Sequence, residues 1–272
     1  MVELRDFRLT GSTGDRRIRI LPLTLQDVSY EVNGMRLIKN LSVTFSPDTL
    51  SVILGPNGAG KSLLLRLCHG LIEPTNGQIQ WKERHNHIVR RFQTMVFQRP
   101  IMLRRSVFSN LEHGLRHRGV GKQERLRRIE AILESTGLAR LGRVAARSLS
   151  VGEQQRLAVA RAWSLDPEVL FLDEPTAALD PAATHSLERI IDNIRKSKTK
   201  VIMTTHDLGQ AKRLADEILF LYRGRLLEHA EAISFFEKPK NDLAQSFLRG
   251  ELLWWNRKEL RPRQELRGPK GV

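Results

Sequence analysis

A glycine-rich segment that ends in lysine and serine carries the strongest chemical signal in this sequence. Its residues are Gly55, Pro56, Asn57, Gly58, Ala59, Gly60, Lys61 and Ser62, which match the pattern G-x-x-x-x-G-K-[ST]. Glycines let backbone N–H groups surround a phosphate without Cβ clashes. Lys61 is long enough to reach the β and γ phosphates of a nucleotide, and the Ser62 hydroxyl is a ligand that Mg²⁺ accepts. The segment therefore predicts a nucleoside triphosphate site rather than a glycine-rich turn.

Two adjacent carboxylates, Asp173 and Glu174, follow the apolar run 170–172. An apolar strand that ends in acids places them at the carboxyl edge of a sheet, where open α/β sheets bind ligands. Asp173 would hold Mg²⁺, directly or through water, and Glu174 would act as general base on the attacking water. The alternative, in which two acids only end a strand, is less favoured beside a phosphate loop.

Short apolar runs that alternate with helical patterns are expected to position these groups. Leu50–Leu54 and 169–172 are short, mainly apolar runs, which fits strands buried on both faces of a parallel sheet. Residues 201–205 are expected to form a further strand. Helices are expected after the phosphate loop, from Asp180 with a proline in the first turn, and from Asp207. This order of elements predicts an α/β fold whose P-loop NTPase core has a mostly parallel central sheet.

Two smaller parts are expected around this core. Apolar residues over 23–30, the tight-turn pair Asn33-Gly34 and a returning strand over 36–45 predict a small antiparallel β subdomain. Helical stripes over 106–165 predict an inserted helical subdomain, at about 99–165. A hairpin is expected over 218–227. The single cysteine, Cys68, excludes an intrachain disulfide, fits a reducing compartment and is expected to be an inert core thiol.

The charge of the chain is unusually positive. Its 272 residues include 45 Lys and Arg against 30 Asp and Glu, a net charge of +15. Such a balance indicates a nucleic acid, anionic lipid or anionic ligand as partner. The share of hydrophobic residues, 40%, excludes a chain that is disordered along its whole length. Twelve basic and four acidic residues lie in 99–147, and six basic and two acidic ones follow Leu253. The excess therefore lies away from the phosphate loop, which favours a membrane surface over nucleic acid.

A further motif precedes the acidic pair, and its residues are Leu149-Ser150-Val151-Gly152-Glu153-Gln154-Gln155-Arg156. With the phosphate loop, it resembles the signature motif of ATP-binding cassette (ABC) ATPases. Further residues of that family's motif set, in chain order, are Tyr30, Gln98, Ala178-Leu179-Asp180 and His206. The resemblance covers about 23–253, and six motifs stand in the family's order. It implies a 23–250 ATPase domain between a flexible basic extension, 1–22, and a basic tail, 251–272.

This resemblance implies a head-to-tail homodimer that holds ATP and Mg²⁺ between two cassettes. Tyr30 would stack on adenine, Gln98 would sense Mg²⁺ and water and relay to the transporter, and His206 would hold the γ-phosphate and orient Glu174. Ser150, Gly152 and Glu153 would meet the nucleotide of the opposite subunit, and Asp180 would cap its own helix and contact that subunit. Each of these residues could instead have no role in the site. Tyr30 would then be an ordinary aromatic residue of a strand, Gln98 a polar residue at a strand end, and His206 a solvated histidine at a strand end.

Val151 departs from the family pattern, which has glycine at this position. Valine is β-branched and resists a positive φ or a close approach to phosphate. One hypothesis is that Val151 slows ATP-driven closure, and the other is that its side chain points away and is neutral.

Such a cassette can serve a membrane importer, an exporter or an ATPase that acts on nucleic acid. An ATPase acting on nucleic acid usually needs two cassettes or a long coiled coil, whereas this chain has one phosphate loop and one signature motif. Between importer and exporter, segments 96–107 and 205–217 resemble oxyanion importers, most closely tungstate systems, then molybdate and phosphate systems. The partners implied are permease subunits and, indirectly, a substrate-binding protein. The location implied is the cytoplasmic face of the inner membrane, through the permease, since no spanning segment is seen.

Two further segments have open interpretations. Residues Pro100, Ile101, Met102 and Leu103 form an apolar run flanked by Arg99, Arg104 and Arg105. It is either a docking surface for the permease or a buried loop with solvated arginines. The tail, aromatic at Trp254-Trp255 and then basic, either lies on anionic lipid or is a disordered, solubilising end.

Overall fold

The computed structural model describes residues 20–83 and 85–251. Its strands are β1 (Leu23–Val32), β2 (Met35–Phe45), β3 (Leu50–Leu54), β4 (Asn76–Trp81), β5 (Gln93–Val96), β6 (Val169–Asp173), β7 (Lys200–Thr205), β8 (Glu217–Tyr222) and β9 (Arg225–Glu231). Its α-helices are α1 (Lys61–His69), α2 (Asn86–Phe92), α3 (Val107–His117), α4 (Lys122–Ser135), α5 (Val151–Trp163), α6 (Pro181–Lys196), α7 (Leu208–Leu214), α8 (Ala232–Glu237) and α9 (Asp242–Leu248). The predicted α/β fold is confirmed.

The central sheet has six strands in the order β5-β6-β7-β3-β8-β9, parallel except for the β8–β9 hairpin. Every residue of β3, β6 and β7 is buried. Alternate side chains of β3 enter two different apolar clusters, with Val52 on one face and Ile53 on the other. Burial on both faces is why these strands are mostly apolar, with Ser51 and Thr204 among the buried polar exceptions. Their carboxyl ends lie side by side and carry the predicted site residues.

The smaller parts also follow the predicted pattern. Strands β2, β1 and β4 form an antiparallel sheet of three strands. Asn33 and Gly34 connect β1 to β2 with φ of 50° and 76°, the geometry of a tight hairpin turn. Helices α3, α4 and α5 form the inserted helical part, where Leu111, Ile129 and Leu157 share one apolar cluster.

Three short helices were not predicted from the sequence. Helix α2 has seven residues and no side-chain cap at His85, so neither length nor capping marks it in the sequence. Helices α8 and α9 also span less than two full turns. Tertiary packing stabilises them, because the rings of Phe235 of α8 and Phe247 of α9 contact that of Phe220 of β8 in tilted arrangements.

The packed domain begins before the predicted boundary at residue 23. Ile20 and Leu21 are buried, and their N–H groups donate to the Glu168 carboxylate at 2.9 and 3.3 Å. These residues therefore belong to the core and not to the extension. The rest of the predicted extension and the tail from residue 252 lie outside the described residues. No helix within the described ranges is long and apolar enough to cross a membrane.

A buried ion pair lies at the amino edge of the central sheet, opposite the site residues. Lys200 Nζ lies 3.2 Å from Glu217 Oε1 and donates to the hydroxyls of Thr49 and Ser51 at 2.5 and 2.6 Å. Burial by itself would raise the pKa of the Glu217 carboxyl. Hydrogen bonds from His229 and Ser51 and the charge of Lys200 outweigh burial, and they lower this pKa to about 2.

Glu217→Gln is expected to lower the free energy of unfolding at neutral pH by about 2 kcal/mol, or about 5 °C in Tm. This value lies below that for a fully buried pair because the Glu217 side chain is 17% exposed. The carboxyl takes up a proton near pH 4.5 when unfolded but only near 2 when folded. The Tm difference should therefore be constant from pH 7 to 5 and narrow as pH falls below about 4.5. Thermal unfolding of the wild type and the variant at several pH values measures this Tm difference, and Glu237→Gln, at an exposed position, is the control. A Tm difference that does not change with pH would contradict the ion pair between Lys200 and Glu217.

Candidate functional site

The glycine-rich loop connects the carboxyl end of β3 to the first residue of α1. Helix α1 begins after Gly60, which has a φ of 102°, and it has no side-chain cap and no acidic residue in its first turn. The helices α5, α6 and α7, in contrast, are capped by Ser150, Asp180 and Asp207. The first N–H groups of α1 are therefore not used by a side chain, and with the helix dipole they favour an anion.

The neighbouring hairpin explains why the loop must begin with glycine. A Cβ atom on Gly55 would lie 2.1 Å from the carbonyl oxygen of Leu221 in β8. The turn of this hairpin also holds the loop, because Gly224 N donates to the Ala59 carbonyl at 2.9 Å. Glycine at position 55 lets the loop pass close to the sheet, which orients its N–H groups before any ligand binds.

Lys61 is buried at the mouth of this loop. Its Nζ donates to the carbonyl oxygens of Gly55 and Pro56 at 2.8 and 3.2 Å. The same nitrogen lies 3.1 Å from Glu174 Oε1. The Lys61 ammonium at this loop thus faces Glu174, which directly follows β6, the strand on the far side of β7.

The hydroxyl of Ser62 and the carboxylate of Asp173 are in direct contact. Ser62 Oγ donates to Asp173 Oδ1 at 2.7 Å, and Thr204 Oγ1 donates to the same oxygen at 2.9 Å. Thr204 also accepts from the N–H of Glu174 at 2.9 Å. Hydroxyl and carboxylate oxygens side by side are hard donors that suit Mg²⁺. Thr204 was not predicted from the sequence, because its position opposite Asp173 depends on the β6–β7 pairing.

Glu174 lies between a lysine and a histidine. Its Oε1 is 3.1 Å from Lys61 Nζ, and its Oε2 is 3.1 Å from Nδ1 of His206. The Glu174 side chain is 12% exposed and that of His206 is 47% exposed. A carboxylate held in this way, near the loop but still open to water, can accept a proton from a water molecule.

Comparisons with known proteins identify the family of this chain. The family described as ABC transporter matches residues 38–177. The tungstate uptake system ATP-binding protein TupC of Peptoclostridium acidaminophilum is 37% identical over 217 residues, which are 79% of this chain and 100% of that protein. The chain belongs to the ABC transporter family. It is an ATP-binding cassette subunit, and therefore an ATPase.

Another relative and a solved structure place the cassette within this family. The phosphate import ATP-binding protein PstB of Thermotoga maritima is 35% identical over 233 residues, covering 79% of this chain and 92% of that protein. The structure of cbiO1 from Clostridium perfringens, described as part of the ABC transporter complex cbiONQ, matches with a TM-score of 0.73. That match has 26% identity and covers 84% of this chain and 94% of the other.

Gln98 and Tyr30 lie near the edges of the cassette's site. Gln98 is exposed and follows β5, which pairs with β6 so that Val96 lies opposite Leu172. It therefore leaves the same edge of the sheet as Asp173. Tyr30 lies on β1, partly buried against the apolar cluster that contains Ala59 of the loop. Their roles toward Mg²⁺ and adenine stay predictions.

The signature residues begin helix α5. Ser150 is its N-cap and forms a capping box with Glu153: Glu153 N donates to Ser150 Oγ at 3.3 Å, and Ser150 N donates to Glu153 Oε2 at 2.8 Å. Hydrogen bonds from Ser150 also lower the pKa of the Glu153 carboxyl. A Cβ on Gly152 would lie 3.0 Å from Cβ of Ala183, so this glycine also lets α5 approach α6. Within the subunit, these residues hold the start of α5 in place.

Val151 does not strain the backbone at this position. It is the first residue of α5, it has no positive φ, and its side chain is 60% exposed. The conformational part of the hypothesis is therefore wrong. The steric part, in which the methyl groups hinder approach to a phosphate, remains.

Val151→Gly is accordingly expected to raise ATP turnover in the assembled complex by about threefold, because the valine methyl groups would no longer hinder the approach to phosphate. A threefold change in rate corresponds to less than about 1 kcal/mol in the activation free energy. Helix stability should fall by no more than about 1 kcal/mol. Steady-state turnover measures the effect. Unchanged turnover would show that the valine is neutral.

Asp180 caps helix α6, as predicted. Its Oδ1 accepts a hydrogen bond from Ala183 N at 2.8 Å, and Pro181 occupies the first turn. Its predicted contact with the opposite subunit stays a prediction. Cys68 is buried, and burial raises the pKa of its thiol, which fits an unreactive core residue.

Proposed function

We propose that this cassette hydrolyses ATP to power an importer of an oxyanion, with tungstate as the first candidate. The observation that carries the enzymatic part is the position of Glu174 between Lys61 and His206, beside the Ser62–Asp173 contact. The match to TupC over that protein's whole length supports tungstate. Molybdate, phosphate or another imported solute is the alternative, since PstB is nearly as similar; an exporter or an ATPase acting on nucleic acid is less favoured.

In this proposal, the N–H groups of 55–62 and the Lys61 ammonium bind the phosphates of ATP. Glu174 takes the proton of the attacking water, and His206 orients Glu174 and holds the γ-phosphate. Lys61 and His206 stabilise the charge that develops in the transition state. Ser62, Asp173 and Gln98 would hold Mg²⁺, which when bound neutralises phosphate charge.

We also propose that two cassettes act head to tail. Ser150, Gly152 and Glu153 at the exposed start of α5 would face the nucleotide of the opposite subunit. The cap of this helix leaves its first turn ordered without a partner, so the surface is ready to bind. Asp180, at the start of α6, would contact the same opposite subunit.

The segment after Gln98 is our candidate for permease docking, with one correction to the predicted patch. Ile101 is 79% exposed, but Met102 is buried, so the run is not a continuous apolar surface. Met102 belongs to the apolar cluster that the helical part shares with one face of the central sheet, and this anchor leaves the Ile101 side chain exposed.

Two polar side chains hold this docking segment. The buried side-chain amide of Asn110 accepts a hydrogen bond from the N–H of Leu103 at 3.1 Å and donates one to the carbonyl of Ser106 at 2.9 Å. Both terminal nitrogens of Arg161 donate to the Ile101 carbonyl at 3.1 Å. The segment is therefore ordered before it meets a partner.

Ile101→Ala should weaken capture of the permease but leave ATP affinity unchanged. Intact assembly of this variant with the permease would count against docking.

A transport assay tests the whole proposal. A strain that lacks this gene should lose uptake of tungstate labelled with a radioisotope, and the wild-type gene should restore it. Complementation with Glu174→Gln should fail. Parallel uptake of molybdate and phosphate separates the alternative oxyanions, and unchanged uptake of all three would overturn the import proposal. Peripheral attachment to the cytoplasmic face of the membrane, through the permease, is checked by fractionation with and without it.

A further inference from the structure

A buried glutamine connects the two loops that carry Glu174 and His206. Gln210 Nε2 donates to Thr176 Oγ1 at 2.9 Å, and that hydroxyl lies 3.2 Å from Gln210 Oε1. Thr176 follows Glu174 by two residues, and Gln210 lies in the first turn of α7, four residues after His206. The side chain of Gln210 is fully buried, so this link is shielded from water.

A carboxylate behind Gln210 fixes the orientation of its amide. Glu188 of α6 is 5% exposed and accepts a hydrogen bond from Gln210 Nε2 at 3.3 Å. Arg213 binds the same carboxylate through two nitrogens, at 2.9 and 2.7 Å. Because Glu188 is held in this way, the amide nitrogen of Gln210 is the atom that faces both Glu188 and Thr176.

Packing alone does not hold the two loops together here. A cavity of about 570 Å³ lies between them, and its lining includes Glu174, Thr176, His206 and Arg213. The start of α7 is also fixed through backbone, since Gln210 N donates to Asp207 Oδ1 at 2.9 Å. The β6–β7 pairing ends at Asp173 and Thr204, and beyond that point, beside the cavity, these side-chain hydrogen bonds connect the two loops.

We infer that Gln210, supported by Glu188 and Arg213, is a positioning residue that holds His206 against Glu174 for ATP hydrolysis. This inference rests on the proposed roles of Glu174 and His206. Loss of the link would let the imidazole move away from the carboxylate while the phosphate loop, on the other side of Glu174, is unaffected. The expected defect is therefore in turnover and not in ATP binding.

The test compares Gln210→Leu with Gln93→Leu in the purified full chain. Gln93 is also a buried glutamine, but it lies at the amino end of β5 and donates to the His69 carbonyl at 3.0 Å. We expect Gln210→Leu to lower kcat by about tenfold with KM and ATP affinity within about twofold. Gln93→Leu should leave kcat within about twofold of the wild type.

A double-mutant cycle separates positioning from general loss of structure. In a His206→Ala background, Gln210→Leu should cost less than about twofold in kcat, because the residue that it positions is already gone. A second variant, Thr176→Val, removes the same link from the other loop and should lower kcat by a similar factor. It keeps the inference testable if Gln210→Leu does not fold.

The outcomes distinguish this inference from the proposed function. If Glu174→Gln retains full turnover, the proposed site itself is wrong. If Glu174→Gln is inactive while Gln210→Leu behaves like Gln93→Leu, or costs as much with His206→Ala as without it, only the role of Gln210 is wrong.

Discussion

Glu174→Gln is expected to bind ATP normally and to hydrolyse it at least about a hundredfold more slowly than the wild type, since a general base contributes about 10²- to 10⁴-fold. The amide has the size of the carboxylate, and its oxygen can still accept a hydrogen bond from Lys61, 3.1 Å away in the wild type. It has almost no basicity toward water. Binding and chemistry should therefore separate in this variant.

Persistent ATP should also hold two Glu174→Gln subunits together. Size-exclusion chromatography with ATP measures the dimer, and phosphate release measures turnover. Glu134→Gln, on the exposed surface of α4, is the matched control and should behave as the wild type does. Full activity of Glu174→Gln would exclude Glu174 as the base.

Lys61→Met is expected to have the opposite profile, with ATP affinity reduced about thirtyfold or more, a loss of about 2 kcal/mol or above. Lys61 supplies the positive charge in the loop and ties together its first two carbonyl groups, at 2.8 and 3.2 Å. Methionine keeps the apolar stem but provides neither. The Glu174 carboxylate would also lose its partner.

Lys200 provides a matched control, because within the described residues it is also a buried lysine with an ion-pair partner. Lys200→Met removes the partner of Glu217 at the amino edge of the sheet and should lower Tm without changing ATP affinity. Calorimetric titration with ATP and thermal unfolding separate the two lysines. An ATP affinity of Lys61→Met within about twofold of the wild type would contradict the proposed phosphate site.

Local patterns predicted the elements that carry the site. The apolar runs marked β3, β6 and β7 because both faces of these strands are buried. Asp180 and Asp207 marked helix starts because a side-chain cap acts within three residues of its own position. Where stability comes from distant packing, local patterns failed: Phe235 anchors α8 on Phe220, which lies on another element.

The docking segment shows the same division. The sequence 100–103 is uniformly apolar, which predicts one patch. In the structure, Asn110 and Arg161 turn this segment so that Met102 enters the core and Ile101 faces outward. Which apolar residue is exposed depends on hydrogen bonds that span as many as 60 positions of the chain.

The sequence by itself marked the phosphate loop and the acidic pair, because each is a short pattern of adjacent residues, and it marked the signature motif and His206 through their resemblance to the family's motifs. Only the tertiary structure decided how these groups are held. Thr204 bonds Asp173 across 31 positions, and Gln210 bonds Thr176 across 34 and Glu188 across 22. Such contacts depend on the strand order that places β7 beside β6, and no local pattern encodes that order. Sequence therefore named the candidate reacting groups, and side-chain contacts between distant segments set the distances between them.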